Sequence, residues 1–266
     1  MVASMRPFFA HNIKFNTTMR TLLFCLVLSA MLYPDSLPAK NYYQDATFRV
    51  IEDFESDSVG KLPDDWYNRS GERKPVTYKA SQKESYQYQV LKEDGNHFLR
   101  YEGTSAKHLN YPLKNKDWVN IHETPYLSWK WRVHDLPEGA NEDINDKNDA
   151  AASVYVVYDI IRFVKIPKVI RYTWSTSLPE GEVIKKNMGY QKIIVMKSGA
   201  AGLGQWHSFE RNIVDDFEKY FGKKPDKKPL AILILSDGDS TGDRAMGDYD
   251  DFILSSQPRT SAGDIH

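Results

Sequence analysis

Residues 126–133 read YLSWKWRV, with Leu127, Trp129, Trp131 and Val133 on one side of an extended chain and Ser128, Lys130 and Arg132 on the other. A period of two is the pattern of a strand with one buried face. Two indoles among aliphatic neighbours belong to a core rather than to a sugar platform. Trp129 and Trp131 are therefore expected inside. The Arg132 side is either solvated or the wall of a groove. Similar short runs, rich in β-branched and aromatic residues, recur along the chain between turn-forming clusters. They include TFRVIEDF (47–54), HFLRYEG (97–103), ASVYVVYDI (152–160), VIRYTWST (169–176), QKIIVMK (191–197), QWHSFERNI (205–213) and DYDDFIL (248–254). This punctuation predicts an all-β fold, a two-sheet antiparallel β-sandwich. LAILILS (230–236) is apolar almost throughout, as a central strand covered on both faces should be. One stretch is helical. NIVDDFEKYFG spaces Ile213, Phe217 and Phe221 by four and ends on Gly222, which predicts one short helix near 213–221.

Of the 266 residues, 41% are hydrophobic, enough for one sizeable core, so a single domain over 40–256 is expected. A net charge of -1 and the lack of a dense basic run argue against nucleic-acid binding. The N-terminal part is different in kind. Met19-Arg20 precedes TLLFCLVLSAMLY (21–33), an uncharged run too short for a comfortable bilayer span, and a small-residue exit follows near Ala39. This predicts a secretory leader over 1–39, with Met19 as an alternative start. The mature chain is then periplasmic or secreted and has no membrane anchor. Residues 257–266 are expected to form a flexible tail. Cys25, the only cysteine, lies inside the apolar run, so the mature chain has no thiol chemistry and no disulfide.

No Gly-x-Ser-x-Gly elbow, His-Glu-x-x-His motif or phosphate loop is present, and the histidines are scattered. Gly199, Gly202 and Gly204 are expected in a turn. Binding asks for less than catalysis: an aromatic face and polar side chains for hydroxyls. Arg132, Trp174, Trp206, Glu210 and Arg211, on strands or near their ends, are the candidate ligand residues. The polar segment HDLPEGANEDINDKNDAA (134–151) is expected as a solvated loop or an acidic, cation-binding rim. DGDSTGDRAMGD (237–248) has nearly the spacing of a twelve-residue calcium loop. But RAMGDYDDFIL is one continuous strand that carries Asp248 away from Asp237, and Asp237-Gly238 signals a hairpin. A hairpin loop is therefore expected, with Asp237, Asp239 and Thr241 as its only cation-binding option.

LSWKWRVHDLPEGANE, DAAASVYVVYD, YTWS, MKSGAAGLGQWHSFERNIVDDFEKYFG and SDGDSTGDRAMGDYDDFIL follow one another in this order. Together they resemble the bacterial exported family known as domain of unknown function 3047, over roughly residues 48–255. That resemblance implies no activity. DFESDSVGKLPDDW and YDDFIL are similar to the first and last strands of galactose-binding-like carbohydrate-binding jelly rolls. This second likeness implies paired terminal strands and a structural calcium held by Glu55 and Asp250, with Asp251 as substitute. The residues agree with it on one point. Asp250 shares a face with Phe252 and Leu254 in a regular strand, so its carboxylate should point inward, where it needs a partner or a metal. The expected function is non-catalytic binding of a glycan or small polyhydroxyl ligand. A polysaccharide-acting enzyme with its site on the charged concave face is the alternative, and an envelope structural or assembly protein with a protein partner comes third.

Overall fold

A computed structural model describes residues 48–68, 87–161 and 163–259. The expected leader, Cys25 and residues 260–266 of the tail lie outside the described residues. The strands are β1 (Phe48–Glu52), β2 (Gln87–Glu93), β3 (Asn96–Gly103), β4 (Lys107–Pro112), β5 (Tyr126–Asp135) and β6 (Ala150–Ile161). They continue with β7 (Ile166–Ser175), β8 (Val183–Lys186), β9 (Gln191–Ser198), β10 (His207–Asn212), β11 (Ala231–Asp237) and β12 (Ala245–Ser255). One helix, α1 (Ile213–Phe221), lies between β10 and β11.

The strands form two sheets. The first has the order β10-β5-β12-β3-β2, with β1 also paired to β12, and the second β4-β11-β6-β7-β9-β8. The expected two-sheet sandwich and the pairing of first and last strands are both present. One pair departs from the antiparallel rule, because β7 and β9 run parallel. The β5 alternation folds as its spacing requires: Trp129 and Trp131 are 1% and 0% exposed. Trp129 packs across the sandwich on Tyr172 of the second sheet, ring centroids 5.3 Å apart. β11 is buried at every position, with β4 on one edge and β6 on the other.

In α1, the Asn212 side chain accepts from the Val214 and Asp215 amides, and Gly222 at φ 82 ends the helix. Ile213 and Phe217 face the core.

Two expectations are corrected. The segment after Asp237 is not a hairpin: β11 belongs to the second sheet and β12 to the first, so residues 238–244 cross between sheets. And β12 is not regular. Asp250 pairs with Lys130 and Ile253 with Ser128, so one extra residue is accommodated around Asp251, whose φ is 49. The bulge puts Asp250 on the outer face and Phe252 in the core, instead of both inside.

Candidate ligand-binding site

The polar side of β5 becomes the centre of the outer face of the first sheet. Register places Asp248 of β12 between Arg132 of β5 and Arg100 of β3. Asp248 is fully buried and accepts from Arg100 Nε at 2.6 Å, Arg100 Nη2 at 2.8 Å and Arg132 Nε at 2.8 Å. His134 Nε2 lies 2.8 Å from the same carboxylate and 3.0 Å from Arg100 Nη2. Burial alone would push the Asp248 carboxyl up, but the bonds from Arg100, His134 and Arg132 prevail and hold it below the ordinary carboxylate range. Arg132 also bonds Glu93 of β2, while its Nη2 is buried without a hydrogen-bond partner.

An aromatic pair covers these cations. The Arg132 guanidinium sits 4.7 Å from the Trp206 ring centre and 4.8 Å from that of Phe98, and the two rings meet edge to face at 5.6 Å. Trp206 reaches this position through the 199–206 turn. Gly202 adopts φ 85, and a Cβ there would lie 2.6 Å from His207 Nε2. Gly204 donates its amide to Val133 at 2.8 Å, fastening the turn to the edge of β5. Trp206 remains partly exposed.

The five candidate ligand residues separate. Arg132 and Trp206 are brought into contact. Glu210 lies opposite Ser128, further along the outer face of the sheet, and accepts from the Arg259 amide at 2.7 Å. Trp174 is fully buried and donates to the Gly199 carbonyl, so no ring face is offered to a ligand. Arg211 pairs with inward-facing Leu127 and bonds both carboxylate oxygens of Asp216, which also accepts from Tyr172. Sequence reasoning misses Asp248, Arg100 and His134 as site residues. Only the register of three strands assembles them.

The acidic residues also divide. Glu55 accepts from the His97 amide at 3.0 Å, and Asp250 from Asn96 Nδ2 at 2.9 Å, so both hold the start of β3. Asp251 instead pairs with Lys130 at 2.8 Å. Burial and the Asp251 charge push the Asp250 carboxyl up to about 7. Among the described residues, the three-carboxylate group is elsewhere: Asp149, Asp237 and Asp239 bring ligand atoms within 4.8 Å of one another. Asp149 accepts from the Ser240 and Thr241 amides, and buried Glu142 accepts from Ser175, so two acids of the 134–151 loop point inward rather than into solvent. The calcium-loop spacing is not realised, because Asp248 is committed to the first sheet.

A family model described as "Protein of unknown function (DUF3047)" matches residues 64–253. No curated protein matches the chain. Among solved structures, the chain is similar to the family 11 carbohydrate-binding module of a cellulosomal cellulase from Clostridium thermocellum. The TM-score is 0.39 and the identity 10%, covering 80% of this chain and 97% of that one. It is also similar to a family 27 carbohydrate-binding module from Caldicellulosiruptor saccharolyticus, solved with mannohexaose. There the TM-score is 0.36 and the identity 13%, over 80% and 99% of the two chains.

Proposed function

Since the chain belongs to the DUF3047 family, whose description carries no activity, we propose a function from the site itself: an exported, non-catalytic module that binds a glycan or related polyhydroxyl ligand at Trp206 and Arg132. The observation that carries this reading is a partly exposed indole seated on a braced guanidinium. A sugar ring stacks on an aromatic face, and its hydroxyls take donors fixed in advance. Arg132 cannot swing away, because Asp248 and Glu93 hold it from two sides. Arg132 is itself buried and backs the indole from beneath, so the surface offered to a ligand is that of Trp206. The apolar leader supports a place in the periplasm or outside the cell.

The test is a glycan-array screen followed by calorimetry. Trp206→Ala should weaken binding of any hit at least tenfold, about 1.4 kcal/mol, without moving the melting temperature by more than a few degrees. Retention of full affinity by Trp206→Ala would sink the reading.

One observation favours the enzymatic alternative. Asp248 and Asp250 lie on one face of β12 with their carboxyls shifted in opposite directions, a pattern found in acid–base pairs. Both are buried, which keeps this reading second. Release of reducing ends from a polysaccharide, lost in Asp250→Asn, would promote it.

A structural calcium between Glu55 and Asp250 is also proposed. Its support is that both carboxylates hold neighbouring residues of β3 and that buried Asp250 would be relieved by a cation. At a hundredfold its dissociation constant, calcium would add about 2.7 kcal/mol, or roughly 5–10 °C of melting temperature. Elemental analysis showing no calcium disposes of it.

A further inference from the structure

The end of the sandwich far from Trp206 has a different surface. β6 starts beside the candidate site, where the Ala151 carbonyl lies under Gly247, and runs to Ile161. At about 3.3 Å per residue that separates its two ends by roughly 35 Å. The turn into β7 is closed by the Lys165 amide on the Ile161 carbonyl at 2.7 Å. Phe163 in this turn is 101% exposed, and Val164 beside it 46%. A phenyl ring left in water is costly unless the tip has a use.

Around this apolar tip the charge is one-sided. Lys165 is in the turn itself and exposed. Lys168, Lys185, Lys192 and Lys223 stand close enough to repel one another. Lys168 and Lys192 both lie over the Phe221 ring, at 4.5 and 5.1 Å, which fixes two ammonium groups on the same side of α1. Asp159 and Asp226 face Lys168, and Asp226 is already paired with Lys223. The positive patch is left in excess.

The geometry points to this tip as a docking surface for an anionic lipid bilayer: Phe163 and Val164 enter the interface, and Lys165, Lys168, Lys185 and Lys223 meet the headgroups, with buried Lys192 adding its charge from behind. Binding a soluble polyanion would use the lysines but gives no role to a fully exposed phenyl. An interfacial site uses both, through apolar burial and attraction to anionic lipid. This surface is independent of the glycan reading, and it would hold the Trp206 end away from the membrane.

The test places an environment-sensitive NBD label at Phe163→Cys in the full chain, in a Cys25→Ser background. A second protein carries the label at Ser240→Cys, on the opposite end. With vesicles of phosphatidylcholine and phosphatidylglycerol, the label at 163 should shift to the blue and brighten several-fold, while that at 240 stays unchanged. This contrast separates the tip from any binding by the N-terminal apolar run. High salt, or Lys165→Glu with Lys185→Glu, should weaken the response at least tenfold. An unshifted label at 163, an equal response to pure phosphatidylcholine, or an equal response to soluble dextran sulfate would overturn the proposal.

Discussion

Asp248 has no exposed surface and is contacted by three basic side chains, Arg100, Arg132 and His134. Removing it would leave two guanidinium groups facing each other without the carboxylate between them, with only Glu93 left bonded to Arg132. Asp248→Ala should therefore cost about 3–5 kcal/mol in a denaturant titration, the range for breaking a buried pair from one side. A cost below about 1 kcal/mol would mean that the network is solvated in solution. The sequence showed Arg132 as part of a polar strand face, but it showed Asp248 only as the last place of a calcium-like loop. No local pattern joins them: Asp248 lies 116 residues from Arg132 and 148 from Arg100. By contrast, Trp129 and Trp131 declared themselves through two-residue alternation alone, and replacing either by Ala should cost about 3–5 kcal/mol.

Among the elements, β12 shows best where local reading succeeds and where it stops. Its extent follows from the apolar and aromatic content of residues 245–255. Its bulge at Asp251 does not, and that bulge reverses the face of Asp250. The Asp-Gly signal at 237–238 failed for a physical reason. Both edges of β11 are already taken, by β4 and β6, so no hairpin partner can pair there. Gly238 serves close approach instead, since a Cβ would lie 1.9 Å from the Asp243 carbonyl oxygen. Gly247 has a similar role between the sheets, 2.8 Å from the Ala151 oxygen at the Cβ position. Gly247→Ala should push β12 off β6 and destabilise by about 1–3 kcal/mol. A thermal melt indistinguishable from that of the parent protein would show that the sheets separate there at no cost.

At the scale of the whole molecule, the buried carboxyls set how stability varies with pH. Burial pushes Asp237 up to about 8, with Asp149 adding to the rise and Arg171 opposing it; Asp250 stands at about 7. In the unfolded chain both titrate near about 4. Between about pH 4 and pH 8 the native state therefore keeps protons that the unfolded state has released. Stability is greatest below that window, falls as pH rises through it, and levels off above it. Asp248 acts in the opposite sense. Its native carboxyl is held low, so its contribution is present above about pH 4 and is lost as pH falls further. The two trends place the stability maximum on the acid side of neutrality. In EDTA, which removes any bound cation, the melting temperature should fall between pH 5 and pH 8. Where a carboxyl is protonated in the native state and ionised in the unfolded one, each step of one in pH lowers stability by about 1.4 kcal/mol. Asp237→Asn carries no proton to lose and keeps an oxygen for the Ala150 amide, which Asp237 now accepts at 2.9 Å. It should flatten this slope and raise stability at pH 8 by a few kcal/mol relative to the parent chain. A melting temperature level from pH 5 to pH 8 in the parent chain would mean that the end of β11 admits water, and that Asp237 is ionised at neutral pH.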